Sequence, residues 1–326
     1  MSNWGILATG KIARSFVRDL ALVPGAEAVA VGSRSAESAS AFAAEFGIPR
    51  AHASYEALVA DEGVDVVYVA SPHSLHPEHV RIALEAGKHV LCEKPVALDR
   101  AASVEMIGLA VERGLFFMEA MWTATHPVVR AVAERLASGE LGTPRHLHAE
   151  LGFVVDADPG DRLLDPALGA SALLDMGIYP LTLAHLLLGE AEGLTGRATL
   201  SDRGIDLDTA VVGSYPGGAL ATMTASMTSW SGRTASVATD RGLLELTPPF
   251  HHPESAVFTP VGGGDPVRIE GAEPVIGSGY GNEIVEVERC LAAGLTESPL
   301  VPHAQTLTLM GQLDEVRRQL GVVFPV

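Results

Sequence analysis

The sequence predicts an α/β protein in two parts: a parallel sheet interleaved with helices, then an α+β region with a large, mainly antiparallel sheet. Three observations predict it. Up to about residue 120, short Val-, Ile- and Ala-rich runs alternate with segments of helical periodicity. Beyond about residue 122 that alternation stops. From residue 195 short strand-like runs follow one another, broken by Pro216-Gly217-Gly218 and Gly262-Gly263-Gly264.

In the first part, residues 4–8, 28–32, 64–70, 89–92 and 115–118 read as strands. Between and after them, 12–22, 36–46, 55–60, 77–86 and 101–113 place apolar residues on one helical face. The second part starts with a helix and a strand at 145–152, followed by an irregular stretch to Gly169 and a helix at 171–188. Strands are expected at 195–200, 210–215, 219–229, 234–239, 243–246, 256–260 and 267–269, and helices at 282–293 and 302–320. The expected domains are therefore 1–122 and 123–326.

Composition bounds the function. With 326 residues, 47% of them hydrophobic and 19% charged, the chain has ample apolar side chain for full cores. A net charge of −18 repels nucleic acid and anionic membrane surfaces, so neither is an expected partner. Cys92 and Cys290 are the only cysteines, which excludes a multi-disulfide framework and suits a reducing, cytoplasmic setting. Met1-Ser2-Asn3-Trp4 runs into the first strand with no basic leader. Apolar stretches read as interrupted by Gly, Pro or charge before the roughly 18 residues of a membrane span.

The first strand runs into Ala8-Thr9-Gly10-Lys11-Ile12-Ala13 and opens a helix, the context of a dinucleotide-binding Rossmann turn. Gly10 lets backbone N–H groups approach a pyrophosphate at the positive helix end. Ala8 stands where the first glycine of the common fingerprint would be, which is acceptable if its φ stays negative. At the end of the second strand, Val31-Gly32-Ser33-Arg34-Ser35 offers hydroxyls and a guanidinium where an NAD site has a carboxylate. That set suits a 2′-phosphate, so NADP is the expected cofactor, with NAD possible.

Two segments carry a family resemblance: Ala86-Gly87-Lys88-His89-Val90-Leu91-Cys92-Glu93-Lys94-Pro95, and Gly169-Ala170-Ser171-Ala172-Leu173-Leu174-Asp175-Met176-Gly177-Ile178-Tyr179-Pro180. With the Rossmann turn, they resemble the glucose-fructose oxidoreductase and inositol dehydrogenase (Gfo/Idh/MocA) family. Phe117-Met118-Glu119-Ala120-Met121-Trp122-Thr123 and the tail from Glu315 to Pro325 point to its dimeric dihydrodiol dehydrogenase and NADP-dependent D-xylose dehydrogenase branch. The resemblance implies an open-faced second sheet that mediates a homodimer, and hydride transfer to or from a hydroxyl-bearing carbon of a small sugar or cyclic diol. It also implies a cis Lys94-Pro95 bond, and cofactor contacts from Ser71, His73, His76, Glu93, Lys94 and Trp122.

Hydride transfer needs a proton carrier for the substrate hydroxyl and positive charge near its oxygen. Lys94 and Tyr179 are the candidates, with Asp175 four residues before the tyrosine and so one α-helical turn away. A free phenol has a pKa of about 10, and a nearby ammonium favours its ionised form. Whether Lys94 or Tyr179 moves the proton is open at this stage. Pro180 should kink the helix by freeing the carbonyl of Met176. Trp122 fits a pocket wall and a packed hinge equally well. His73, His76 and His79 invite a metal reading, but no Cys or carboxylate cluster supports one. The competing functions are a hydrolase using transient oxidation and a non-catalytic dinucleotide sensor.

Overall fold

The structure, a computed structural model, describes residues 2–158 and 160–325. Its contacts divide it into two compact units. The first stretch runs β1 (Ser2–Leu7), α1 (Lys11–Leu20), β2 (Ala26–Gly32), α2 (Ala36–Phe46), β3 (Arg50–His52), α3 (Tyr55–Val59) and β4 (Val66–Val69). It continues through α4 (His76–Glu85), β5 (His89–Glu93), α5 (Arg100–Arg113), β6 (Phe117–Ala120) and α6 (Trp122–Thr125). The six strands form one parallel sheet in the order β3-β2-β1-β4-β5-β6, as a Rossmann sheet requires. Their apolar runs are buried on both faces: Ile6, Val31, Val67, Val69, Val90 and Leu91 are all solvent-inaccessible.

Two readings of this stretch are corrected. Arg50–His52 was not expected as a strand, because three residues carrying Arg and His at a sheet edge show no period. The sixth strand lies at Phe117–Ala120 and not 115–118, so Glu119 sits inside it.

The second unit comprises α7 (Pro127–Ala137), β7 (Pro144–Gly152), a π-helical turn at Leu173–Gly177, α8 (Ile178–Leu188), β8 (Gly193–Leu200), β9 (Asp206–Tyr215), β10 (Ala219–Ser226), β11 (Ala235–Thr239), β12 (Gly242–Leu246), β13 (Ala256–Pro260) and β14 (Val267–Ile269). Its eight strands lie in the order β14-β13-β12-β11-β7-β10-β9-β8, antiparallel except for the β7/β10 pair. Along β9 and β10 buried and more exposed residues alternate: Val211 and Met223 face the core, while Val212 and Leu220 are about half exposed on the open face. The segment Pro166–Leu188 does reach the length and apolarity of a membrane span, contrary to the sequence reading, but 83% of its most apolar window is buried, which marks a core helix.

The chain then returns to the first unit. Val275–Leu307 packs there, including α9 (Tyr280–Ala292) and the start of α10 (His303–Leu320), whose remainder belongs to the second unit. The expected division at residue 122 therefore moves to Thr125 and is not contiguous. The cause is long-range capping: the buried Asp19 carboxylate on α1 accepts from the backbone N–H groups of Ser278 and Tyr280, tying down the start of α9.

Candidate active site

In a parallel sheet all carboxyl ends share one edge, so the segments after β1, β2, β4 and β5 converge there. Four of the sequence-predicted groups lie on that edge of the first unit.

After β1 comes the phosphate turn. Ala8 adopts φ 84°, not the negative φ expected of an alanine, because its N–H must reach back to the Gly32 carbonyl at 3.0 Å as the chain leaves the sheet. Left-handed backbone costs a residue with a Cβ about 1–2 kcal/mol. Gly10 has an ordinary φ of −69°, and a Cβ added to it would meet nothing within 4 Å. Neither backbone nor packing demands glycine there, so the open space above it fits a group that lies close to the backbone. No side chain caps α1, leaving the N–H groups of its first residues, Lys11 and Ile12, available to an anion. Thr9 and Ile12 are part-exposed and Lys11 is exposed along the same turn.

After β2, Ser33 is buried and its hydroxyl accepts from the Ser35 N–H, while Arg34 is exposed. The Arg34 guanidinium lies close enough to the phenol of Tyr55 to favour its ionised form. Burial raises that phenol's pKa and Arg34 opposes the rise. Tyr55 in turn meets His79 edge-on, with ring centroids 4.6 Å apart, and His79 Nδ1 lies 2.8 Å from Ser71 Oγ after β4.

The histidines of this loop are occupied by their own chain. His76 is fully enclosed, with Nε2 2.8 Å from the Ser71 carbonyl and Nδ1 3.0 Å from that of Pro95. Burial pushes its pKa down to about 4, so near neutrality one N–H serves one of the two carbonyls. The expected contact of His76 with a ligand is corrected: with no accessible surface, the ring staples the β4 loop to the turn after β5. His73 is buried edge-on to His76 at 5.6 Å. Among the described residues, no group of three or more His, Cys, Asp or Glu side chains is arranged to hold a metal ion.

After β5, the Lys94-Pro95 bond is cis, as the resemblance implies. Lys94 is part-exposed, and its N–H donates to Glu93 Oε2 at 3.2 Å. Glu93 is buried and accepts a short hydrogen bond from the Tyr68 hydroxyl. Trp122, 6% exposed, stacks on Tyr280 with centroids 4.4 Å apart and planes 9° from parallel, which favours the packed-hinge reading.

Asp175 and Tyr179 lie in the second unit. Pro180 lacks the N–H that an α-helix would use, and the chain accommodates this with the π-helical turn at Leu173–Gly177 just before α8. The expected kink thus takes the form of a widened turn, in which a four-residue spacing is no longer one full turn. Asp175 is 6% exposed and accepts from Arg162 Nη1 at 2.9 Å. Tyr179 is 8% exposed, with its ring 4.9 Å from that of His251.

Sequence reasoning missed Tyr55, Arg162, Asp206, His251 and Glu119. Only Glu119 left a local signal, a lone carboxylate within the apolar run Phe116-Phe117-Met118-Glu119-Ala120-Met121.

Comparison with known proteins agrees with this architecture. The model for the oxidoreductase family with an NAD-binding Rossmann fold matches residues 2–121, and that for the GFO/IDH/MocA C-terminal domain matches 129–245. Trans-1,2-dihydrobenzene-1,2-diol dehydrogenase of Mus musculus is 35% identical over 335 residues, covering 99% of this chain and 98% of its own. The Homo sapiens enzyme of that name is 36% identical over 340 residues, with coverage of 99% and 98%. The structure of KijD10, a 3-ketoreductase from Actinomadura kijaniata complexed with NADP and TDP-benzene, matches with a TM-score of 0.85 at 27% identity over 98% of each chain. Matched in both parts and along nearly its full length, the chain belongs to the Gfo/Idh/MocA family of NAD(P)-dependent oxidoreductases.

Proposed function

We propose that this protein moves a hydride between NADP, preferred over NAD, and a hydroxyl-bearing carbon of a small sugar or cyclic diol. The observation that carries the NADP preference is the exposed Arg34 guanidinium at the end of β2, steadied by Tyr55, where an NAD site would hold a carboxylate. The Gly10 turn and the uncapped start of α1 would hold the pyrophosphate, and the turns after β4 and β5 would flank the nicotinamide. When bound, the nicotinamide supplies the hydride acceptor or donor. Relatives named for a diol dehydrogenase and a 3-ketoreductase complexed with NADP support the substrate class and the cofactor.

In this reading Tyr179 Oη carries the substrate hydroxyl proton. Lys94 Nζ supplies positive charge at the substrate oxygen. Asp175, held by Arg162, orients the start of the helix that bears the tyrosine. Tyr179→Phe keeps the ring and removes the proton carrier, so turnover with NADP and a panel of aldoses and cyclic diols should fall by about 10² to 10⁴. Cofactor affinity should stay within about two-fold. Near-normal turnover of Tyr179→Phe would transfer the proton role to Lys94.

A homodimer and a cytoplasmic setting complete the proposal. Exposed Val212, Leu220, Leu243 and Val267 on the strands of the second sheet support association of two copies, since such a surface is costly to leave in water. Light scattering should return about twice the 34.0 kDa chain mass. Cys92 and Cys290 are both free, buried thiols, the state that a reducing compartment maintains.

A further inference from the structure

Glu119 has no part in the reaction as read so far, yet it is placed where few carboxylates are tolerated. It is 2% exposed in β6, among Phe117, Met118 and Ala120, and paired in register with Cys92 of β5. Burying a carboxyl in such a strand costs several kcal/mol unless its oxygens are bonded and its charge is met. Here both oxygens are bonded. Oε1 accepts from the Val96 N–H at 3.0 Å, two residues beyond Lys94, and Oε2 accepts from Thr306 Oγ1 at 3.1 Å. Together with His76 on the Pro95 carbonyl, Glu119 grips the short turn that carries the lysine.

Charge completes the arrangement. Burial pushes the Glu119 carboxyl up to about 7, against the Val96 N–H, the Thr306 hydroxyl and the Lys94 ammonium, which favour ionisation; Glu93 opposes it. The other groups nearby are the Cys92 thiol, itself pushed well up by burial and the two carboxylates, and His303 on α10, whose Nε2 meets the Phe117 carbonyl. Lys94 is a cation that acts on Glu119 and favours its ionised form.

We infer that Glu119 is a positioning residue for Lys94: ionised, it holds the backbone of the lysine's turn and supplies the counter-charge that keeps the ammonium in place. The inference rests on Lys94 acting in catalysis, and its test separates the two. Glu119→Gln retains an oxygen for the Val96 N–H and an amide opposite Thr306 while removing the charge. Its kcat at neutral pH should fall about ten-fold, with the KM for NADP nearly unchanged. The acid limb of the parent's pH profile, rising through neutrality as Glu119 ionises, should disappear. Thr306→Val deletes a bond that favours the ionised carboxylate and should move that limb to higher pH. This second variant serves if the glutamine protein folds poorly.

A readout independent of turnover is available because the chain has only three lysines, Lys11, Lys88 and Lys94. After ¹³C reductive methylation, the Lys94 resonance, assigned by its absence in Lys94→Met, should titrate at lower pH in Glu119→Gln than in the parent. An unshifted Lys94 titration with unchanged kcat and pH profile overturns the inference. If Lys94→Met retains turnover, the catalytic reading of Lys94 fails instead, and the titration alone decides whether Glu119 is its counter-charge.

Discussion

The Asp206 carboxylate at the start of β9 accepts the backbone N–H of Leu173 at 2.7 Å, and so caps the π-helical turn that leads to Tyr179. It also accepts from Thr209 Oγ1 at 2.9 Å, and it has no accessible surface. Asp206→Ala should therefore destabilise the protein by about 1–3 kcal/mol, the cost of leaving a buried donor unmet. It should also lower kcat more than it raises the KM for cofactor, because the disturbed element carries Tyr179. Chemical denaturation and steady-state kinetics check both points. A variant as stable as the parent would show that the cap is dispensable.

Ala8 is one of two non-glycine residues with positive φ among those described, the other being Arg233. Ala8→Gly removes the Cβ conflict of about 1–2 kcal/mol but gives the unfolded chain more freedom, worth about 0.5–1 kcal/mol. The net expectation is a gain of up to about 1.5 kcal/mol, read as a higher urea midpoint at unchanged slope. A lower midpoint would mean that the left-handed turn carries no strain in this chain.

Arg34→Ala should weaken NADP much more than NAD, by about 1.5–3 kcal/mol, because a charged hydrogen bond to the 2′-phosphate is lost while the rest of the dinucleotide keeps its contacts. Fluorescence titration with each reduced cofactor measures this directly. Equal losses for both, or a parent that prefers NAD, would refute the assignment.

Glu283 is fully buried in α9, and neither of its carboxyl oxygens has a hydrogen-bond partner among the described residues. Burial, then Glu93 and Asp19, hold its pKa well above 4.5. The folded protein therefore binds this proton more tightly than the unfolded chain does. That contribution to stability is fully present below the unfolded pKa of 4.5 and is lost as pH rises toward the higher folded value. Glu283→Met, of similar length and uncharged, should be more stable than the parent by about 1–3 kcal/mol at pH 8, with a smaller gap at pH 5. Urea midpoints at the two pH values settle the sign. A gap that does not widen with pH would contradict the account.

Much of this architecture is written locally. The alternation of apolar runs and helices placed five of the six parallel strands within two residues at each end, because burial on both faces leaves continuous Val- and Ile-rich runs. Ala36–Phe46 was legible to the residue, since Ser35 caps one end through the Ser38 N–H and Gly47 closes the other at φ 68°. Residues 8–13, 33–34 and 93–95 were legible as turns that follow strands, and the parallel sheet brings these turns to one edge.

What the chain does with its buried charges was decided only on folding. Thr306 meets Glu119 across 187 positions, and Tyr280 meets Asp19 across 261, so no periodicity can register either pair. For the same reason the return of Val275–Leu307 to the first unit was invisible in the composition. The resemblance implied a ligand contact for His76, and no local pattern could show that its ring is clamped between the carbonyls of Ser71 and Pro95. Sequence alone determined the strand-to-helix turns of the Rossmann sheet and the residue types they carry, since those depend on local backbone and composition. Tertiary structure decided which carboxyl pKa values are raised and which turns are held, because desolvation and hydrogen bonding are set by neighbours that the chain brings together from far apart.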